Sequence, residues 1–303
     1  MTDLIVLFLN NLLPIFLGVA IGFILGKYLH IPARPLSQVA FYLFSPCLIF
    51  RLLTTSQLAV LDILKTIAYM SLLMLSVGGL AWLFGRSFRL ERSLLTAVVL
   101  TSIFMNAGNY GLPVTLFAFG EDALAYATLT FVTMNVLINT VGVLIATSDS
   151  VGILQALKGL LRLPAPYALV LAMIFLSQGW QLPLAIDRTV TIFSNAAIPT
   201  MMLLLGIQLQ SAHWVGQTKA LALATTMRLV VSPILAIGFS RLWGISGSAY
   251  QASVLQSAMP AAIFNTVIAT EFDVEPSFVT AVVFATTVIS PFTLTPLLAY
   301  LGA

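Results

Sequence analysis

Two asparagines, two glycines and a proline lie within eight residues of one apolar stretch. They are Asn106, Gly108, Asn109, Gly111 and Pro113. Proline removes a backbone donor and glycine weakens a helix, so a helix here should open and release backbone N–H and C=O groups. Inside a membrane such groups are tolerated only where they line a cavity. We therefore predict a helix break at Gly108, Gly111 and Pro113.

A second break is predicted later in the chain, at Pro260, with Asn265 close behind it. A helix that resumes after a break directs the positive end of its dipole at the break, which suits a carboxylate. A helix that ends before a break presents carbonyl oxygens, which suit Na⁺. The amides of Asn106, Asn109 and Asn265 add uncharged donors and acceptors. We predict these three asparagines to bind substrate.

Two further asparagines, Asn135 and Asn139, follow in the next apolar stretch. Polar side chains inside a membrane either join neighbouring helices or line a cavity. Both asparagines are candidate substrate-binding residues, and bonding between helices is the alternative interpretation.

Arg228 lies well inside another apolar stretch, where a cation is costly. One interpretation is a structural ion pair or a side chain that reaches the membrane surface. The other is that Arg228 compensates the charge of the substrate.

The elements that carry these residues must be membrane helices. Of the 303 residues, 60% are hydrophobic and 8% are charged, whereas soluble domains have about 25% charged residues. This composition excludes soluble enzymes, nucleic-acid-binding proteins and secreted modules. The formal net charge of +3 is spread along the chain, which indicates membrane topology rather than a nucleic-acid partner.

Ten stretches are long enough to cross a membrane as helices, which takes about 20 apolar residues each. These stretches, numbered spans 1 to 10, cover residues 4–28, 35–53, 63–85, 94–119, 125–146, 164–180, 189–209, 220–243, 250–269 and 278–301. No alternation typical of a membrane barrel is present. The predicted fold class is therefore an all-α membrane protein with ten transmembrane helices.

Lysine and arginine residues are distributed unequally between the loops. Loops after odd-numbered spans contain eight, and loops after even-numbered spans contain four. Because basic loops stay in the cytoplasm, this difference places the N- and C-termini outside. The expected location is a bacterial-type inner (cytoplasmic) membrane.

The two halves of the sequence align at an offset of about 153 residues. The matching positions are Pro14 with Pro166, Pro32 with Pro183, Pro46 with Pro199, and Phe131 with Phe284. Each half contains five spans, and an odd number inserts the second half upside down. We predict two inverted five-helix repeats, 1–148 and 164–303, joined by a short cytoplasmic connector at 149–163. The broken spans 4 and 9 should cross.

Three glycines, Gly18, Gly22 and Gly26, recur at every fourth residue of span 1. Small residues at this spacing allow two helices to approach closely. We expect a packing role, within the chain or at a subunit interface.

The strings Asn106-Ala-Gly-Asn-Tyr-Gly-Leu-Pro113 and Ala258-Met-Pro-Ala-Ala-Ile263 resemble the auxin efflux carrier family of membrane transporters. This family belongs to the bile/arsenite/riboflavin transporter superfamily. The similarity extends along nearly the whole chain and includes Pro46 and Pro199. The short connector after span 5 is similar to that of bacterial members described as malate or malonate permeases. Residues 163–167 lack the Asn-Pro-Asn stretch of the plant hormone carriers, so auxin itself gains little support.

The resemblance implies a scaffold of spans 1, 2, 6 and 7 and a transport unit of spans 3–5 and 8–10. It also implies a crossover site at Pro113 and Pro260, an elevator-type movement, a homodimer formed through the scaffold, and a small organic anion as substrate.

Several alternatives remain open at this point. A Na⁺-coupled organic-anion symporter resembling bile acid carriers would use the carbonyl ends, although neither break contains an acidic residue. A membrane sensor on a transporter fold and a channel are the others. Coupling to H⁺ or Na⁺ and contact with membrane lipid are compatible with the sequence. We predict no catalytic residue, cofactor or metal site, because both histidines, His30 and His213, fall in loops and no phosphate-binding loop occurs.

Overall fold

The computed structural model describes residues 2–56, 58–147, 161–211 and 216–303. Apart from one isolated bridge, this part of the chain contains only helices and the segments between them. Seven of its helices are long and apolar enough to cross a membrane. Most of the predicted connector, residues 148–160, lies outside the described residues.

We number the helices of the described residues α1 to α11 in chain order. The long apolar helices are α1 (Leu4–Leu29), α2 (Ala33–Thr55), α3 (Val60–Ser87), α5 (Ala107–Thr147), α7 (Leu184–Gln208), α8 (Thr218–Trp243) and α11 (Pro276–Leu301). The shorter helices are α4 (Arg92–Ile103), α6 (Pro164–Gln178), α9 (Gly247–Ser257) and α10 (Phe264–Glu271).

Glycines mark the ends and the bends of these helices. Gly179 and Gly244 follow α6 and α8 with φ values of 63° and 58°, a left-handed conformation that ends helices and that glycine adopts without strain. Within α5, Gly120 has φ 76° and ψ −167°, so the helix bends sharply there. This bend separates residues 107–119 from residues 121–147, close to the predicted boundary between spans 4 and 5.

Prolines explain most of the π-helical turns. Of the five such turns in the described residues, four are followed two residues later by a proline. The prolines are Pro14, Pro46, Pro113 and Pro233. A proline cannot bond to the carbonyl four residues before it, and its ring clashes with that carbonyl. The preceding turn widens from i+4 to i+5 bonding, and the helix continues.

The helices pack in two groups. In the first, α1 lies along α7, and α2 packs against α6 and α7. In the second, α3 packs against α4, α5 and α8, while α9 packs against α5.

The glycine stripe of α1 faces α7 within the same chain. A Cβ at Gly22 would meet the backbone of Leu203, and a Cβ at Gly206 would meet the backbone of Val19. The stripe therefore serves packing inside the chain, and its alternative assignment to a subunit interface is wrong.

Candidate substrate site at two paired helix breaks

Two helix breaks meet in the interior of the protein. α4 ends at Ile103 and α5 begins at Ala107, while α9 ends at Ser257 and α10 begins at Phe264. The two segments between them run antiparallel, with an isolated bridge between Met105 and Ala261.

Two backbone hydrogen bonds hold these segments together. Asn106 N–H donates to the carbonyl of Pro260 at 2.7 Å, and Ala262 N–H donates to the carbonyl of Phe104 at 2.8 Å. The pairing satisfies backbone groups that the interrupted helices leave free, which makes extended backbone stable in an apolar interior.

The first break lies earlier in the chain than we predicted. It covers residues 104–106, and Gly108 and Gly111 belong to the π-helical turn Ala107–Gly111. Pro113 lies in the first turn of the following α-helix, where a missing N–H costs nothing. Pro113 therefore widens the turn before it and does not interrupt the helix. Pro260 does lie inside the second break, as predicted.

The two glycines near the first break allow close packing. A Cβ at Gly108 would lie 2.7 Å from the ring of Phe131, and a Cβ at Gly111 would overlap the amide of Gln256. These residues bring the π-helical turn against neighbouring helices, a role that differs from the predicted unwinding.

Three of the predicted asparagines lie at or next to the breaks. Asn106 is 5% exposed and its Nδ2 has no hydrogen-bond partner. Asn265 is fully buried, donates from Nδ2 to the carbonyl of Phe104 at 3.2 Å, and leaves Oδ1 without a partner. Asn109 is half-buried and donates to Oε1 of Gln208 in α7 at 3.3 Å. Two buried amides with spare capacity therefore lie beside the paired breaks.

The other two asparagines bond within their own helix. Nδ2 of Asn135 donates to the carbonyl of Phe131 at 2.8 Å, and Nδ2 of Asn139 donates to the carbonyl of Asn135 at 2.9 Å. These bonds connect neither residue to the breaks. Their role in substrate binding stays a prediction.

Arg228 connects the ends of both helices that precede the breaks. Its Nη1 donates to the carbonyls of Ser102 and Ile103 at 2.8 and 3.0 Å, at the end of α4. Its Nη2 donates to the carbonyl of Ser257, the last residue of α9, and to Oγ of Ser232 at 2.6 Å. One planar guanidinium thus joins two helices that the sequence does not connect.

This arrangement corrects our leading interpretation of Arg228. The side chain is 1% exposed, so it does not reach the membrane surface. Among the described residues its bonding partners are carbonyl and hydroxyl oxygens, with no carboxylate. A buried arginine at membrane depth costs about 3 kcal/mol or more. Hydrogen bonds to a charged group contribute about 1.5–3 kcal/mol each, so four acceptors offset that cost.

The charges at the two breaks do not cancel. Each helix end contributes about half an elementary charge, negative at a C-terminus and positive at an N-terminus. The ends of α4 and α9 sum to about −1, which the guanidinium of Arg228 balances. The N-terminal ends of α5 and α10 have no acidic residue in the first turn and no side-chain cap. An uncompensated charge of about +1 remains beside Asn106 and Asn265.

Polar residues of α11 also contact the breaks. The hydroxyl of Thr286 accepts a bond from Ala261 N–H at 3.1 Å. The hydroxyl of Ser290 lies 3.0 Å from that of Tyr110, in the π-helical turn of α5. The polar side chains of this helix are thus directed at the break region.

A cavity of about 570 Å³ lies between the two groups of helices. Its walls come from α1, α2, α7 and the part of α5 on either side of Gly120, and they are mainly apolar. The polar lining residues are Arg51, Glu121, Ser194 and Asn195. Arg51 donates to Asn195 at 3.1 Å, and the buried hydroxyl of Ser194 has no partner. The cavity could take the body of a small amphipathic molecule.

A helical, apolar chain with two paired breaks is a form that membrane carriers share. The family described as "Membrane transport protein" matches residues 7–298. The chain belongs to this family, the auxin efflux carrier family of membrane transporters. It is a multi-pass membrane protein.

Two archaeal relatives resemble this family member along most of its length. An uncharacterized transporter of Methanothermobacter thermautotrophicus is 27% identical over 286 residues, which are 93% of this chain and 94% of the relative. An uncharacterized transporter of Methanocaldococcus jannaschii is 29% identical over 85% of this chain and 86% of its own length.

A plant relative matches half of the transporter. Auxin efflux carrier component 8 of Arabidopsis thaliana is 27% identical over 163 residues, which are 50% of this chain and 44% of the plant protein.

Sequence reasoning missed several residues of the site in this transporter. Gln208 contacts Asn109, and Gln256 packs against Gly111 with its Oε1 unpartnered. Both are uncharged polar residues in apolar stretches, so a systematic list of glutamines at membrane depth would have found them. The carbonyls that hold Arg228 carry no signal in the sequence, because every residue has a carbonyl.

Proposed function

We propose that this transporter carries a small organic anion, with a carboxylate bound at the paired helix breaks. The observation that carries the proposal is the charge balance there. Arg228 compensates the two C-terminal helix ends, and the two N-terminal ends stay uncompensated. A carboxylate completes this balance without a second fixed cation.

Uncharged amides complete the proposed site. Asn106 offers an unpartnered amide N–H, and the first backbone N–H groups of α5 and α10 have no acceptor inside their helices. Hydrogen bonds from neutral donors hold a carboxylate less tightly than an ion pair would. Weaker binding suits a carrier, which must also release its substrate.

The proposed architecture has ten spans in two inverted repeats, 1–148 and 164–303. α4 with residues 107–119 forms one broken span, and α9 with α10 forms the other. The scaffold consists of α1, α2, α6 and α7, and the other helices form the transport unit, which moves by an elevator-type mechanism. The packing groups and the cavity between them support this division. A homodimer through the scaffold and an inner-membrane location with both termini outside belong to the same proposal.

The Na⁺-coupled alternative is less well supported. The carbonyl ends that would coordinate Na⁺ already bind the guanidinium of Arg228. A second cation at this place would meet like charge, and the ends have no remaining negative charge to offer it. We therefore expect substrate binding to be independent of Na⁺.

Thermal stabilisation of the detergent-purified protein tests the proposal. A ligand that binds only the folded state raises the melting temperature by mass action. The panel contains mono- and dicarboxylates, aromatic acids, bile acids and sterols, each with and without Na⁺ and at two pH values. We expect stabilisation by a carboxylate without Na⁺.

Two asparagine substitutions make this test specific. Asn106→Ala removes the unpartnered amide and should abolish the stabilisation. Asn11→Ala is the matched control, because Asn11 is also buried and bonds the carbonyl of Leu7 in its own helix. Stabilisation that persists in Asn106→Ala would place the substrate elsewhere. A strict Na⁺ requirement would favour the symporter, and binding without transport in vesicles would favour the sensor.

A further inference from the structure

A groove of about 840 Å³ opens between α3, α4 and the last turns of α5. We propose that it binds an anionic phospholipid, with the phosphate at its arginine-lined end and an acyl chain along its apolar length. This proposal does not depend on the identity of the substrate.

The groove has the length of one membrane leaflet. Its α3 wall consists of Leu75, Gly79, Trp82 and Arg86, which recur every three or four residues and so share one helix face. From Leu75 to Arg86 the helix rises about 16 Å, and half of a hydrocarbon core is about 15 Å. When Arg86 lies at headgroup level, Leu75 lies near the middle of the membrane.

Positive charge is concentrated at one end of the groove. Arg86, Arg89 and Arg92 all line it, and none of its lining residues is acidic. The guanidinium of Arg86 lies 5.6 Å from the centre of the Trp82 ring. Arginine binds phosphate oxygens through paired donors, and tryptophan is typical of the membrane interface. Basic pockets between membrane helices bind anionic lipid headgroups.

Gly79 provides the space for the acyl chain. It is exposed, and a Cβ placed there would have no heavy atom within 4 Å. The other wall is the matching face of α4, from Arg92 through Leu95 and Val99 to Ile103. A soluble anion would use only the arginine end, whereas a phospholipid uses both parts.

Native mass spectrometry of the full-length protein in detergent tests this proposal, with phosphatidylglycerol and phosphatidylcholine as probes. We expect phosphatidylglycerol to bind more tightly. The double variant Arg86→Gln, Arg89→Asn should weaken phosphatidylglycerol binding by about 25-fold, since each basic residue near an anionic headgroup contributes about fivefold. Asparagine is chosen at position 89 because φ there is 55°, which asparagine tolerates.

A second variant, Gly79→Leu, fills the acyl part of the groove and should weaken both lipids. Gly238→Leu is its matched control, since Gly238 is also an exposed helical glycine with open space around it. Arg34→Gln with Arg188→Gln controls for loss of two positive charges at exposed positions outside the groove.

Three results would overturn the proposal. The first is equal binding of the two lipids by the wild type. The second is binding that neither the arginine variant nor Gly79→Leu changes. The third is competition by glycerol phosphate at the same concentration as phosphatidylglycerol, with no effect of Gly79→Leu, which would make the groove a site for soluble phosphate.

Discussion

At the scale of single residues, the most informative side chain is a buried arginine that binds only oxygen atoms of uncharged groups. Arg228 holds the ends of α4 and α9 together through four hydrogen bonds. A lysine has a compact ammonium and cannot reproduce the planar fork that reaches both helix ends. The role therefore depends on the geometry of the guanidinium as well as its charge.

We predict that Arg228→Met destabilises the fold by more than about 3 kcal/mol, because unsatisfied buried acceptors cost about 1–3 kcal/mol each. Arg228→Lys should be less harmful, since it keeps the charge and some of the donors. Thermal unfolding of the purified variants measures this order. Arg241→Met, at an exposed arginine of the same helix, is the control. Equal stability of Arg228→Met and Arg241→Met would contradict the proposed connection.

At the scale of elements, prolines and glycines act differently from what their types suggest. Pro113, like three other prolines, follows a π-helical turn inside a continuous helix. The real break at 104–106 contains no proline and is stabilised by pairing with residues 260–262. Two breaks that satisfy each other's backbone groups require both helices to be present, so neither break is a local property.

The contact between α1 and α7 leads to a second prediction. Gly206→Ala places a methyl group against the carbonyl of Val19, and backbone cannot rotate away as a side chain can. Overpacking of this kind costs about 1–3 kcal/mol, and the melting temperature should fall. Gly238→Ala, where space is open, should leave it unchanged or raise it, because alanine favours helix. A stable Gly206→Ala protein would show that α1 and α7 separate easily.

At the scale of the whole molecule, the described residues form two packing groups around one cavity, with the paired breaks inside the second group. Asn109 and Gln208 connect the two groups by a side-chain hydrogen bond of 3.3 Å. A movement of the transport unit along the scaffold would have to exchange this bond for others.

The orientation of the molecule gives a third prediction. Cys47 is the single cysteine, so a Cys47→Ala background allows single cysteines to be introduced. Glu91→Cys lies in a loop predicted to be cytoplasmic, and Gln181→Cys lies in one predicted to be outside; both positions are exposed. In whole cells a membrane-impermeant maleimide should label only Gln181→Cys, and permeabilised cells should label both. The reverse pattern would place the termini in the cytoplasm.

The sequence by itself determined the membrane class, the apolar helices and the family. These follow from composition, from span length and from the strings around Asn106 and Pro260, all of which are local. It also located both helix breaks to within a few residues. Local signals suffice for these features because a helix in lipid must satisfy its own backbone.

The tertiary structure alone decided what the breaks and the polar residues do. It showed that residues 104–106 pair with residues 260–262, that Asn135 bonds its own helix, and that Arg228 binds carbonyls of two other helices. A backbone carbonyl is present at every residue, so no sequence pattern marks the one that accepts a bond. The site exists only where segments far apart in the chain bring their free backbone groups together.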